Sequence, residues 1–545
     1  MYRLFLFLCT VYMLTSCGYH RDLSDNQRVF HMNIPAGLSS LDPAFARDQA
    51  NAWMVNQLFD GLVSLDSGLR VIPAIAHSWE ISDSGTVYTF FLRRDVYFHK
   101  HPGFGTDSTR RVQAQDFVFS FSRICEPATA SFGQWIFNDK VLGTPAMHAD
   151  IPGFMALNDS TFRVTLKQAF PPFISLLAMP YAKVVPREVI NIPGYNFREN
   201  PIGTGPFCFK SWQEGQSLIF LRNPLYYEME GGERLPYLSA VRVKFASSPV
   251  TTFHQLIKGD LDFINRPDLS LKDELFDENG RLKEQWFSHF YLIEGPQLNT
   301  EYLGILMDTN QMNHPLKDVK LRQAINYALN RDQLVKYVLK GMGYPAHAGI
   351  VPPGMPGNDT LGLQGYRYNP EKARALLKAA GYPEGKGLPP ITLYTSPAYQ
   401  SVMEFIQYQL LEVGIRLQLE NMEGSAIRER IYQGDIAFWR ASWIADYPDP
   451  ENYLSLFYSP FEAPSGPNTT RYKNPELDVL FQKALSETDM EKRAQYYRVM
   501  QAMIIQDAPI VLLYYDKIIR LVRKEIEGLE TDGMNNLVLK RVRKR

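Results

Sequence analysis

Cysteine is scarce, with four residues in 545. None forms a C-x-x-C pair, so zinc ribbons and thioredoxin-type chemistry have no support. Net charge is almost absent: 57 basic against 58 acidic residues leave −1. A nucleic-acid partner, held by phosphate neutralisation, is therefore not expected. Beyond the first 16 residues no apolar run approaches the roughly 20 residues a membrane-spanning helix needs. The motifs GxSxG, HExxH and GxxxxGK[ST] are missing, and Gly203-Thr204-Gly205 is too short for a nucleotide fingerprint. Neither enzyme activity nor a cofactor is expected, and any energy source must lie in another protein. What is abundant is aromatic: 13% of the chain, with 30 Tyr and 33 Phe. That surplus suits cores, or a wall that grips a ligand. At about 150 residues per domain, the length implies two to four units.

The N-terminus reads as an export signal over residues 1–16. Arg3 is its basic start and Leu4 to Leu14 its apolar run. Leu14-Thr15-Ser16-Cys17 resembles the bacterial lipobox, which implies cleavage before Cys17 and lipidation of its thiol. The alternative is an ordinary secretory signal with a chance cysteine. Residues 17–27 form a polar tether. Cys125 and Cys208 remain in the mature chain and read as two separate buried thiols.

Further on, the patterns alternate between helix and strand. Arg28 to Ile34, Val87 to Leu92, Val96 to His99, Phe162 to Leu166 and Leu218 to Arg222 read as strands. Trp53 to Leu65 and Val112 to Ile124 have helical spacing. In the second half, Val319 to Leu339 predicts one long amphipathic helix. Pro370 to Ala380 predicts another, with Asn369 as N-cap and Gly381 after its end. Strand Ile391 to Tyr394, helix Tyr399 to Val413 and strand Ile415 to Leu419 make a βαβ unit, which implies a parallel sheet. Asp435 to Arg440 and Ile510 to Tyr515 are further strands, and Met490 to Gln506 a helix. The fold class is α/β.

Six stretches together resemble the bacterial extracellular solute-binding proteins of family 5, the oligopeptide, dipeptide and nickel-binding group. They are Ser40-Leu41-Asp42-Pro43; the run from Gln57 to Leu62 with Ile75 to Glu80 and Tyr88 to Arg93; Gln115 to Val118 with Ser120 to Arg123; Pro201 to Phe207 with Arg222-Asn223-Pro224; Leu321 to Leu329; and Trp443 to Pro450. They occur in the family's order. The resemblance implies a bilobal periplasmic-binding-protein fold of class II with three subdomains. Lobe I would comprise 28–299, including an inserted subdomain of about 66–195, and would resume over 511–545. Lobe II would be 300–510. The chain would cross between lobes twice, near Asn299–Met307 and Ile510–Tyr515. The function implied is a substrate-binding lipoprotein of an ABC importer. It would capture short peptides, deliver them to permease subunits and act as a monomer on the outer face of a membrane. A peptide-sensing receptor subunit, or a binder of a nickel chelate or other small solute, are the alternatives.

The resemblance also places the ligand chemistry. Asp446 stands where peptide-binding members pair an aspartate with the ligand's α-ammonium group. Arg440, six residues earlier, would take a ligand carboxylate, which its planar guanidinium fits, or else pair structurally with a neighbouring acid. Trp443 between them would wall a pocket or fill a core. Of Tyr514 and Tyr515 at the second crossing, one is expected to face the cleft. Leu38 and Ser39 would offer backbone groups in strand-addition style. Phe132 and Trp135 are candidates for the opposite wall. Asp449 suits the part of a helix-capping carboxylate. His99-Lys100-His101 invites a metal reading, but two ligands make no site and a solvated loop tip is expected. The run Lys540 to Arg545 reads as a frayed, solvated end.

Overall fold

The structure is a computed structural model. It describes residues 28–545 except 36, 83, 145–151, 278–279, 309–313 and 361. The export signal, Cys17 and the tether lie outside the described residues.

One body is built on a four-stranded sheet. Val29–Asn33 pairs parallel with Ala240–Lys244, followed by Ser217–Arg222 and Phe207–Gln213 in antiparallel order. Phe30, Met32, Leu218, Phe220 and Val241 alternate inward, as strand periodicity demands. A second, fully antiparallel sheet continues the same core. Its order is Ala76–Ile81, Val87–Leu92, Thr161–Thr165, Phe154–Asn158. Helix Ala114–Cys125 lies on it and places Phe117 and Phe121 against Phe154 and Phe162. The Phe surplus is used here, in edge-to-face and tilted pairs.

Two long strands tie this body to the next. Phe290–Ile305 and Ile510–Arg523 run antiparallel. Over Phe290 to Pro296 they carry Phe263–Asn265 at the outer edge. Over Thr300 to Gly304 they carry Phe438–Ile444 instead. Register slips between Pro296 and Thr300 and again between Glu301 and Tyr302. Proline lacks the ladder N–H, and a bulge bends its strand. The two crossings therefore change character within a few residues, where bending is easiest.

The other body continues the sheet with Ile391–Thr395 and Leu417–Asn421, paired in parallel. Helices Val319–Ala328, Pro370–Ala379 and Gln400–Glu412 cover it. Pro475–Ser486 and Met490–Asp507 pack a separate cluster around Tyr453, Phe457 and Phe481.

Several local expectations are corrected. The Trp53–Leu65 helix is Gln49–Leu58 followed by strand Val63–Leu65. Gly61 marks a close approach of two chain segments, since a Cβ there would meet the Ala182 carbonyl at 2.9 Å. Val319–Leu339 breaks after Ala328, because Asn330 caps a new turn and Arg331 turns inward to the Leu512 carbonyl at 2.7 Å. Val96–His99 is no strand and makes only an isolated bridge, Tyr97 to Arg111.

His99 is buried rather than solvated. Its Nε2 bonds the Gly205 carbonyl at 3.0 Å, and its Nδ1 accepts from the Gly203 N–H at 3.3 Å. The basic tail is docked rather than frayed. Arg543–Lys544 pairs with Ile526–Glu527, Val542 is fully buried, and Lys540, Arg541, Arg543 and Lys544 meet Glu228, Glu230, Glu233 and Asp262. Cys125 and Cys208 are free thiols; Cys125 is buried and Cys208 half-buried.

Candidate functional site

Strand Phe438–Ile444 leads directly into the segment that carries Asp446. Among the described residues Asp446 forms no ion pair. Asn452, in the short helix Glu451–Leu454, holds it: Asn452 Nδ2 donates to Asp446 Oδ2 at 3.2 Å, and the Asp446 N–H donates to Asn452 Oδ1 at 3.1 Å. The same Oδ1 accepts from Trp443 Nε1 at 3.0 Å. One asparagine thus orients both the aspartate and the tryptophan. The Asp446 side chain is exposed to solvent, yet much protein lies close around it. Loss of water raises its pKa, and the Asn452 hydrogen bond only partly opposes this. A carboxylate in that state gains most from a cation brought to it.

Asp449, three residues further on, has a different role. It accepts from the Glu451 N–H at 3.0 Å and the Tyr497 hydroxyl at 2.8 Å, and pairs with Arg493 at 3.3 Å. All its capacity is spent on capping and packing. The two motif carboxylates differ in that only Asp446 is left with an open side.

The facing wall comes from the other body. Trp135 reaches Tyr447, with ring centroids 6.1 Å apart. Lys140 holds the Trp135 carbonyl at 2.9 Å. Tyr181 lies close enough for Asp446 to help raise its pKa, after burial, to about 12. Phe132 is stacked edge-on against Phe45 and lies under Arg47. Asp42 braces this wall: it caps Pro43–Phe45 and takes both arms of Arg123, at 3.0 and 2.6 Å. Ser39 is already committed. Its N–H donates to Asn51 Oδ1 and its carbonyl accepts from Arg198. Leu38 is half-buried against the first core.

Arg440 belongs to a second group. Three positions separate it from Trp443 on an unbroken strand, so the two side chains leave opposite faces. Its guanidinium lies over the Tyr399 ring, 3.3 Å from the centroid, and pairs with buried Glu301. Burial raises the Glu301 pKa to about 7 against the pull of Arg440. Arg440 Nε is enclosed and finds no hydrogen-bond partner among the described residues. Asn299 joins Asp516 at 2.6 Å, and Arg266 joins Asp516 at 3.3 Å, at the point where the register slips. Tyr514 is buried beside this group, while the Tyr515 hydroxyl is taken by the Ala348 and Gly349 carbonyls. Glu301, Tyr399, Asn452 and Tyr181 were not singled out in the sequence. Asn452 had a detectable signal, as an Asx residue inside the motif's own helix turn; Tyr181 had none.

The chain's sequence and fold agree with one group of known proteins. The sequence profile described as bacterial extracellular solute-binding proteins, family 5 Middle, matches residues 70–465. The dipeptide-binding protein of Escherichia coli K12 is 28% identical over 492 residues, covering 88% of this chain and 87% of that protein. Heme-binding protein A of Haemophilus influenzae is 28% identical over 467 residues, covering 83% and 80%. Among solved structures, HbpA2 from Haemophilus parasuis superposes with a TM-score of 0.81 at 24% identity, covering 95% of this chain and all of that one. The periplasmic binding protein DppA from Helicobacter pylori, in complex with the peptide STSA, gives 0.75 at 27% identity, covering 96% and 100%. The fold is that of a two-lobed periplasmic binding protein crossed twice by its chain, and the protein belongs to the family 5 bacterial extracellular solute-binding proteins.

Proposed function

We propose that this chain is the substrate-binding component of an ABC importer, and that it captures short peptides between its lobes for a membrane permease. The observation that carries this reading is Asp446: a carboxylate with no cationic partner among the described residues, oriented by Asn452 and desolvated by the cleft walls. In such a site one ammonium group discriminates strongly against ligands that lack it. The peptide's amino end lies on Asp446, with Trp443 and Tyr181 beside it. Its carboxylate, in ligands of suitable length, lies toward Arg440 near Tyr514. Leu38 contributes backbone rather than side chain. The relatives support the peptide class, since they include dipeptide- and oligopeptide-binding proteins of Escherichia coli.

The protein acts as a monomer without catalysis, exported and held to its membrane by lipid on Cys17. Among the described residues no helix is long and apolar enough to cross a membrane. Replacement Cys17→Ser should leave the exported protein soluble or unprocessed in membrane fractionation; unchanged retention contradicts the anchor.

The direct test is mass spectrometry of small molecules released from natively purified protein by denaturation. Peptides of a few residues with free amino ends are expected. Recovery of a metal chelate or a haem alone, with no binding from any peptide pool, would move the protein to another branch of its family.

A further inference from the structure

A second cavity, of about 650 Å³, lies wholly within the first lobe, away from Asp446. Its walls are the end of helix Gln49–Leu58, the strand pair Val63–Leu65 and Val71–Pro73, the segment 226–230, and the C-terminal stretch 528–541. It falls within the roughly 300–1,000 Å³ range of small-molecule pockets. Its lining is not that of a packing defect. Among the described residues, fourteen enclosed side-chain polar atoms have no hydrogen-bond partner. Four of them line this cavity: Asn56 Oδ1, Asp60 Oδ2, the Tyr227 hydroxyl and Thr531 Oγ1; the Tyr226 hydroxyl, which donates to Glu228 at 3.2 Å, is the polar neighbour of Asp60 and Tyr227. Such atoms are costly to bury without a partner, so their gathering on one cavity points to a polar occupant.

The charges sort in the same way. Glu228 is satisfied by Lys540 at 2.7 Å and Glu230 by Arg541 at 3.0 Å. Lys183, 8% exposed, forms no ion pair among the described residues. Asp60 and Lys183 feel one another's charge, yet make no contact. Burial pushes Asp60 up to about 7 and Lys183 down to about 8, and the charge of each partly opposes the shift of the other. A simple anion would be repelled by Asp60, and a simple cation by Lys183. A molecule carrying both signs meets neither objection.

We propose that this cavity is a second binding site, for a small zwitterion of the free amino-acid class, with its carboxylate on Lys183 and its ammonium on Asp60. Tyr227 and Thr531 supply hydroxyls to the polar ends. The site is separate from the cleft: Asp446, Asn452, Trp443 and Arg440 are not among its walls.

The test is calorimetry and thermal melting of the whole protein with each of the twenty free amino acids, and with acetate and methylammonium as single-charge controls. At least one amino acid should bind and raise the melting temperature, while neither control does. Lys183→Met and Asp60→Asn should each weaken that binding at least tenfold and leave peptide binding unchanged. Asp446→Ala should leave it unchanged. Amino-acid binding lost in Asp446→Ala but kept in Lys183→Met would assign it to the cleft and overturn the proposal. No binding by any amino acid would overturn it too, leaving the cavity to water. Should the variants fail to fold, a crystal structure of the wild type grown with the best-binding amino acid decides, since water alone in the cavity contradicts the site.

Discussion

At the scale of the residue, Asp446 and Asp449 show how environment divides two identical side chains. Asp449 is closed by a backbone N–H, a tyrosine and an arginine. Asp446 keeps one side open and a raised pKa. Since only the carboxylate form can pair with an ammonium, affinity for a free-amino peptide should fall on acidification, beginning at a higher pH than an ordinary aspartate would set. Binding in that range should release protons. Calorimetry in buffers of different ionisation enthalpy checks this, and Asp446→Asn should flatten the profile. His99 gives the second residue-scale prediction. Burial lowers its pKa to about 4, against about 6.5 in the unfolded chain. A base whose folded pKa is depressed contributes its full stability above pH 6.5 and loses it as pH falls toward 4. The loss attributable to His99 should approach about 3 kcal/mol. Urea unfolding of wild type and His99→Gln across that range should show the difference between them shrinking as pH drops. A constant difference would mean that His99 does not titrate in this way.

At the scale of the element, the sequence was readable wherever local chemistry decides. Asn369, Pro370 and Gly381 set the bounds of a helix that the structure places at Pro370–Ala379. Strand Val87–Leu92 was read to the residue. Reading failed where distant contacts decide. Nothing local in the run of charges from Lys540 to Arg545 announces partners some 280 to 310 residues earlier. The break after Ala328 likewise follows from Arg331 reaching strand Ile510–Arg523. The motif residues were legible as a set but not by role. Asp42 and Arg123 join two motifs in one brace, and Gly203 sits where a Cβ would meet the Leu58 carbonyl at 2.0 Å. Arg322 spends its guanidinium on the carbonyls of Leu316, Lys317, Asp507 and Ala508. Much of the resemblance therefore marks scaffold. The docked tail yields a prediction at this scale. Deleting Lys540 to Arg545 exposes the pocket of Val542 and removes the ion-pair partners of five carboxylates, Glu228, Glu230, Glu233, Asp262 and Glu527. The expected cost is about 3 kcal/mol, mostly from apolar burial, because partly exposed ion pairs contribute little each. Urea denaturation measures it. A loss below about 0.5 kcal/mol would mean the tail adds nothing to the lobe.

At the scale of the molecule, the account rests on two bodies joined by two strands whose register slips at Pro296–Thr300. Ligand that touches both walls should favour the closed arrangement and stabilise it by mass action. Small-angle scattering should show a smaller radius of gyration with bound peptide. Trp135→Ala, which removes the contact with Tyr447, should weaken peptide binding by about 1 kcal/mol, the usual scale of an aromatic pair. The central claim is that Asp446 binds the ligand's amino group, and a single calorimetric cycle tests it. Wild type and Asp446→Ala are each titrated with one peptide in free and N-acetylated form. The account predicts that either change alone costs about 3 kcal/mol and that both together cost little more, because each removes the same ion pair. Fully additive losses, or undiminished binding of the acetylated peptide to the wild type, would contradict it.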